Sequence, residues 1–404
     1  MRLIIACLIT LALFSCSEET KKNTLKNGTY RAILKVQDNK VLPFIFEVKS
    51  PTELQIFNAE EVIAVDEVDY RNDSIFIKTA VFEGYIAAAI DGDNLKGSFI
   101  IKSLDRIVPF SAVYNEHSRF EIKSKSSQNV TGIWETVFSK GIAGDEYIAK
   151  GIFMQKGDKV TGTFRTTTGD YRYLEGVMDG DRMELSTFDG AHAFLFTAKV
   201  TDSTLEGQFY SGNHWKEPFV AKRNKTYELP SANELTFLKE GYDHIDFVFP
   251  NTSNELISIK DDRFKNKVVI VQIMGTWCPN CLDESKYYAE FYKSNRNKDI
   301  EFVALAFEYA KTKEEAFSRI ERLQFKVGID YPILLAQYGT SDKEKAQEKL
   351  PMLNHVLSYP TSIFIDKTGK VRKIHTGFNG PATGDEYVEF KAGFEEFVGA
   401  LLAE

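Results

Sequence analysis

Two cysteines, Cys278 and Cys281, stand three positions apart in "GTWCPNC", with only Pro279 and Asn280 between them. A C-x-x-C pair serves as a redox dithiol, as half of a metal site, as a haem attachment point or as a structural bridge. Haem attachment needs a histidine directly after the second cysteine, and Leu282 stands there. A tetrahedral zinc site needs four ligands, and neither a second cysteine pair nor clustered histidines supply them. A copper site of C-x-x-x-C type has different spacing, although His355 lies near Pro360. A peroxidatic cysteine sits in a P-x-x-x-T-x-x-C frame, whereas Thr276 precedes Cys278 by two residues and the proline is missing. A purely structural bridge would close too small a ring to constrain the unfolded chain much. Thiol–disulfide exchange is the economical reading.

The flanking residues say what holds the pair. "KVVIVQIM" at 267–274 reads as a buried strand, and "LDESKYYAEFYK" after the cysteines reads as a helix. At a helix start the first thiol meets free backbone N–H groups and the positive end of the dipole, both of which favour the thiolate. Cys278 is thus the expected nucleophile, and Cys281, one helical turn on, resolves the mixed disulfide. Pro279 and Asn280 set the relative stability of the two redox states, and Trp277 shields one side. Further on, "DIEFVALAFE" is a strand, "KEEAFSRIERLQF" a helix, "TSIFID" and "VRKIHTG" a hairpin, and "EYVEFKAGFEEFVGALLA" a closing helix. The predicted order is βαβαββα, with the dithiol at the end of the first strand.

That order, with "GTWCPNC", "SYPTSIFIDKTGKV" and "HTGFNGPATG", resembles the TlpA/ResA-like thiol-disulfide oxidoreductases of thioredoxin fold that face the bacterial periplasm. The resemblance covers residues 237–404. It implies an α/β thioredoxin-fold domain whose cofactor is its own Cys278–Cys281 disulfide, with no metal. It implies that Pro360 in "YPT" is a cis-proline opposite the cysteines, offering the Tyr359 backbone to a substrate strand, with Thr361 in the same loop. Trp277 and Pro279 complete the implied substrate contacts. Cytoplasmic thioredoxins carry a buried carboxylate six residues before the first cysteine, and here that position is Gln272. Glu308, closing "VALAFE", falls where the ResA-like branch has a carboxyl, and burial would fit it to carry protons for Cys281. The implied partners are disulfide- or dithiol-containing envelope proteins and a membrane dithiol donor.

Residues 28–224 read as all-β. Alternating runs such as "YRAILKV", "PFIFEV" and "HAFLFTAKV" are punctuated by Gly, Asp and Asn turns. The region repeats itself, at 28–115 and 132–224. "GTY" parallels "GIW", "FEG" at Phe82 parallels "FDG" at Phe188, and "NLKGSF" parallels "TLEGQF". Two small barrels or sandwiches, or halves of one closed sheet, all satisfy this pattern. "TGDYRYLEG" and "STFDGAHAFLF" read as turn chemistry plus core aromatics rather than a ligand-facing surface, with His192 in the core. Residues 116–130 and 222–236 read as polar linkers. A different class of function, a binding lipoprotein whose β region captures a ligand or partner, also fits.

Arg2 and the apolar run "LIIACLITLALF" read as a signal peptide over residues 1–15. "LFSC" resembles the lipobox of bacterial lipoproteins, which implies lipid on Cys16, a membrane anchor and a tether over 16–27. Glu18 and Glu19 resemble an export signal of Bacteroidetes surface lipoproteins. The expected location is the cell envelope, on the outer membrane, facing the periplasm or the surface. With Cys7 lost and Cys16 lipidated, Cys278 and Cys281 are the remaining thiols of the four in the chain. A net charge of -8 argues against nucleic acid as a partner.

Overall fold

The computed structural model describes residues 24–404. The expected signal peptide, Cys16 and residues 16–23 of the expected tether lie outside the described residues. Within residues 24–27, Leu25 is buried against the first sheet while its three neighbours are exposed.

Alternation builds the first β unit. In Gly28–Lys35, Tyr30, Ala32 and Leu34 point to one face and are fully buried. Nine antiparallel strands form a meander whose first strand pairs with its last, from Tyr30↔Tyr114 to Leu34↔Phe110. Glu61–Val65 and Glu67–Arg71 remain as unpaired edges. The second unit closes where the first stays open. Gly132–Phe138 pairs with both Tyr147–Lys156 and Trp215–Arg223, and Lys159–Thr166 pairs directly with Leu174–Asp179. The counterpart of Glu61–Val65 has shrunk to the two-residue strand Gly169–Asp170, which folds back on Lys159–Thr166 and lets the barrel shut. The two repeats are therefore separate sheets, an open meander and a closed barrel.

The open sheet packs on the outside of the barrel. Phe188, Leu195 and Tyr210 of the second unit enter the first unit's core, where Phe188 stacks on Phe44 at 4.4 Å. Gly84 and Gly190 meet at this seam, and a Cβ on Gly84 would lie 2.4 Å from the Gly190 carbonyl oxygen. The segment between the repeats is more than a polar linker. Arg119 is buried, donating from Nη1 to Ser186 O at 3.1 Å and from Nη2 to Phe57 O. It pins one unit to the other by satisfying carbonyls of both.

In the C-terminal unit, β1 (Val268–Met274), β2 (Ile300–Phe307), β3 (Ile333–Gln337), β4 (Thr361–Ile365) and β5 (Val371–Thr376) form one sheet, ordered β3-β2-β1-β4-β5. β1, β2 and β3 are parallel; β4 runs against them, and β5, antiparallel to β4, runs with them again. All residues of β1 and β2 are buried, as central parallel strands covered on both faces require. The helices are α1 (Pro279–Ser294), α2 (Lys313–Val327), α3 (Lys343–Lys349) and α4 (Asp385–Ala403). The observed order is βαβαβαββα, with β3 and α3 added to the expected βαβαββα. Five and seven residues are too few to show a period. α2 starts where Thr312 accepts from the Glu315 N–H, and ends at Gly328, whose φ of 75° favours glycine.

Charge holds this domain against both β units. Along one stripe of α2, Arg319 pairs with Glu83, Arg322 with Glu67 at 2.7 Å and Lys326 with Asp66 at 2.9 Å. Deeper, Arg172 of the barrel lies against Glu61 of the first unit at 2.6 Å, Asp189 of its own unit at 3.7 Å, and Asp283 of α1. All four side chains are largely buried. Arg172→Met would leave three carboxylates without their shared cation, and a loss of about 3–5 kcal/mol is expected. Urea unfolding midpoints measure it, and a loss below about 1 kcal/mol would contradict this arrangement.

Candidate active site

β1 delivers the chain to the edge of the sheet, and "GTW" turns it into α1. Glycine is needed at 275, because a Cβ there would lie 2.3 Å from Trp277 Nε1. Cys278 is the N-cap of α1 with extended backbone angles, and its Sγ accepts from the Cys281 N–H at 3.2 Å. Pro279 fills the first helical position, where its missing N–H costs nothing. Both cysteines are thiols, Cys278 7% exposed and Cys281 fully buried.

The cis-proline loop closes the opposite side. The Tyr359–Pro360 peptide is cis, and the Tyr359 carbonyl accepts from Cys278 Sγ at 3.4 Å. Thr361 opens β4 and donates through Oγ1 to Ser358 O at 2.9 Å. Trp277 donates from Nε1 to Phe307 O at 2.9 Å and sets its ring edge-on to Tyr359. The structure thus brings Trp277, Cys278, Pro279, Cys281, Tyr359, Pro360 and Thr361 together.

Behind Cys281 lies a polar pocket absent from the sequence reading. Glu284, fully buried on α1, accepts from Gln272 Nε2 at 2.8 Å, Ser362 Oγ at 3.0 Å and Tyr288 OH at 3.1 Å. Gln272 Nε2 also reaches the Cys281 carbonyl oxygen at 3.4 Å. Burial pushes the Glu284 carboxyl up to about 7. The Cys281 thiol is pushed well above its ordinary value, by burial first, then by the neighbouring Cys278, with Glu284 adding to it. A signal was present in the sequence: C-x-x-C-x-x-E puts Glu284 one turn beyond Cys281 on the same helix face.

Glu308 sits elsewhere. Its oxygens accept from the Thr276 N–H and Thr276 Oγ1, both at 2.7 Å, and none of its hydrogen bonds reaches a cysteine. It is fully buried, and burial raises its carboxyl.

The second β unit supplies the far wall. Asn280 Nδ2 donates to Asp170 O at 3.0 Å, Ser358 Oγ to Thr168 O at 2.8 Å, and the Gly380 N–H to Asp170 Oδ2 at 2.6 Å. Between the units runs a cleft of about 710 Å³ with Cys278 in its lining. Tyr171, His192 and Phe194, from the two segments expected to be turns and core aromatics, line the same cleft. Phe194 also packs in the barrel core, whereas His192 is half-buried and stacks on it at 4.3 Å.

A dithiol at the N-terminus of α1, faced by a cis-proline on a five-stranded sheet, defines a thioredoxin-fold thiol-disulfide oxidoreductase. The Redoxin family profile matches residues 239–388. Thiol-disulfide oxidoreductase ResA of Bacillus thuringiensis subsp. konkukian is 30% identical over 144 residues, covering 35% of this chain and 73% of its own. ResA of Bacillus subtilis is 29% identical over 142 residues, covering 35% and 69%. A solved thiol-disulfide oxidoreductase from Bacteroides fragilis is 22% identical over 37% of this chain and 99% of its own, with a TM-score of 0.27. Through its C-terminal domain the chain belongs to the ResA-like thiol-disulfide oxidoreductase family.

The raised Glu284 carboxyl has a measurable consequence. An unfolded glutamate titrates near 4.3, so the neutral carboxyl's contribution to stability is fully present below that pH. It is lost as pH rises through the folded value of about 7. Urea midpoints taken from about pH 4 to about pH 8 should fall for the parent protein by roughly 3 kcal/mol relative to Glu284→Gln. Parallel curves would show that this carboxyl titrates normally.

Proposed function

We propose that this protein reduces protein disulfides in the bacterial cell envelope, using Cys278 as nucleophile and Cys281 as resolving thiol. One observation carries the reading: the Cys278 sulfur lies between the Cys281 N–H and the Tyr359 carbonyl at the edge of a cleft, while Cys281 is sealed behind it. The Cys278 thiolate attacks one substrate sulfur, forming a mixed disulfide and expelling the other sulfur as a thiolate. Cys281 gives up its proton and attacks Cys278 Sγ, which releases the second substrate thiol and leaves the Cys278–Cys281 disulfide. Two electrons have passed to the substrate, and a membrane dithiol donor returns them. The TlpA/ResA resemblance supports this direction.

Glu284 is the group suited to take the Cys281 proton, because a carboxyl poised near neutrality exchanges protons in both directions at working pH. Glu308 acts through Thr276, holding the turn from which Cys278 projects. Tyr359, Pro360, Thr361, Trp277 and Pro279 shape the surface that meets the substrate. Hydrogen bonds from Asn280 and Ser358 to the barrel support one joint site over an independent β binding module.

The envelope location rests on the apolar run before Cys16 and on its lipobox-like setting, which anchors the chain by lipid on that cysteine, as in Bacteroidetes-type lipoproteins. No helix of the described residues is long and apolar enough to cross a membrane.

In a dithiothreitol-driven insulin reduction assay, Cys278→Ser should lose all activity. Cys281→Ser should instead accumulate a mixed disulfide visible by mass spectrometry, and turnover by Cys278→Ser above background would refute the assignment. Cys16→Ala should move the protein from the membrane to the soluble fraction.

A further inference from the structure

The second β unit departs from the first in its fourth strand, and that departure lies against the helix that carries the dithiol. Where the first unit has the five-residue strand Glu61–Val65, the second has Gly169–Asp170, and its hairpin tip lies on α1 and the cis-proline loop. Two glycines permit this contact. A Cβ on Gly169 would lie 2.2 Å from Asn280 Nδ2, and one on Gly377 would lie 2.8 Å from the Thr168 carbonyl carbon. The tip is seated on the redox domain, and it turns the open face expected around a C-x-x-C into a slot. Trp277 and Tyr359 contribute to the slot from the redox domain; Tyr147, Tyr171, His192 and Phe194 contribute from the barrel.

We propose that the second β unit is the substrate-recognition half of this active site, and that the slot takes an unfolded, extended peptide segment whose disulfide-bonded cysteine neighbours an aromatic residue. The inference rests on the oxidoreductase reading above and names the substrate class of that site. A cleft of about 710 Å³ is of the size that encloses a small ligand or a few residues of chain. A folded partner needs about 800 Å² of its own surface in contact, and Cys278, 7% exposed, lies below the reach of a flat surface. Aromatic rings from both domains offer faces and edges to another ring. The redox step is unchanged: one substrate disulfide becomes two thiols while the Cys278 and Cys281 thiols become a disulfide, and dithiothreitol restores them in the assay.

The test uses the described chain and two peptides that differ only in Phe or Gly beside a cysteine held as its mixed disulfide with 2-mercaptoethanol. The ratio of their kcat/KM values is taken on a single preparation, so any inactive fraction cancels. The parent protein should prefer the Phe peptide by about tenfold or more. Tyr171→Ala and His192→Ala should each bring the ratio below about threefold. His192 is half-buried, so its replacement keeps the test open should Tyr171→Ala fail to fold. A ratio near one in the parent protein overturns the proposal, as does an unchanged ratio in the folded variants. An equal rise in both rates on substitution also overturns it, by showing that the barrel merely covers the dithiol. Bis(2-hydroxyethyl) disulfide separates the two levels. If the parent protein turns it over while the peptide ratio is near one, the slot reading alone falls. If the parent protein fails to turn it over, the oxidoreductase reading falls and takes the slot with it.

Discussion

Arg172 is surrounded by acids drawn from three parts of the chain, and the arrangement of the molecule depends on it. A guanidinium cannot be stripped of water without partners, and its planar fork of donors serves several carboxylates at once. Glu61 comes from the open sheet, Asp189 from the barrel and Asp283 from the dithiol helix. Two of the three pairings cross between units, so the cluster is complete only when all three are docked, and the penalty of a half-assembled cluster favours the whole over any pair. Asp283 stands two residues beyond Cys281, so the same cluster fixes how α1 presents its cysteines to the barrel.

That placement gives the two thiols different surroundings. Cys278 stands at a helix end where a sulfur atom replaces the backbone's missing partners and still meets the cleft. Cys281 is shut in with Gln272, Glu284 and Ser362, away from solvent. A nucleophile needs access, and a resolving thiol needs a place to leave its proton. Two buried carboxyls flank the pair in different settings, Glu284 in the pocket behind and Glu308 beneath the turn that precedes it.

The chemistry was legible in the sequence wherever one residue type at one spacing does the work. "GTWCPNC" and "YPT" were enough to anticipate the dithiol and the loop opposite, and the apolar runs of β1 and β2 had no other sensible home than a buried sheet. The repeat could be read too, because its turn and core motifs recur. Glu284 was hidden because one acid among several on a helix becomes special only by burial, which is a property of the packed sheet and not of the helix. Arg172 and Asp189 sit in segments that read as turn chemistry, and the partners that give Arg172 its role, Glu61 and Asp283, lie far along the chain. Whether a meander shuts into a barrel depended on the length of a single strand, five residues in one copy and two in the other. No alternation pattern records that. The aromatics near Tyr171 and His192 were ambiguous for a related reason: a ring on a barrel strand is core or cleft according to which neighbour covers it.

Gly169 touches Asn280 so closely that no side chain fits between them, and this contact bears on how such a protein can change over time. Pro279 and Asn280 are the two residues inside the C-x-x-C motif. Here one of them is also a docking residue of a separate module. A bulkier spacer would have to be matched by a retreat of the barrel tip, and a new barrel tip by a new spacer. A change between the two cysteines and a change at the barrel tip are thereby coupled through one contact.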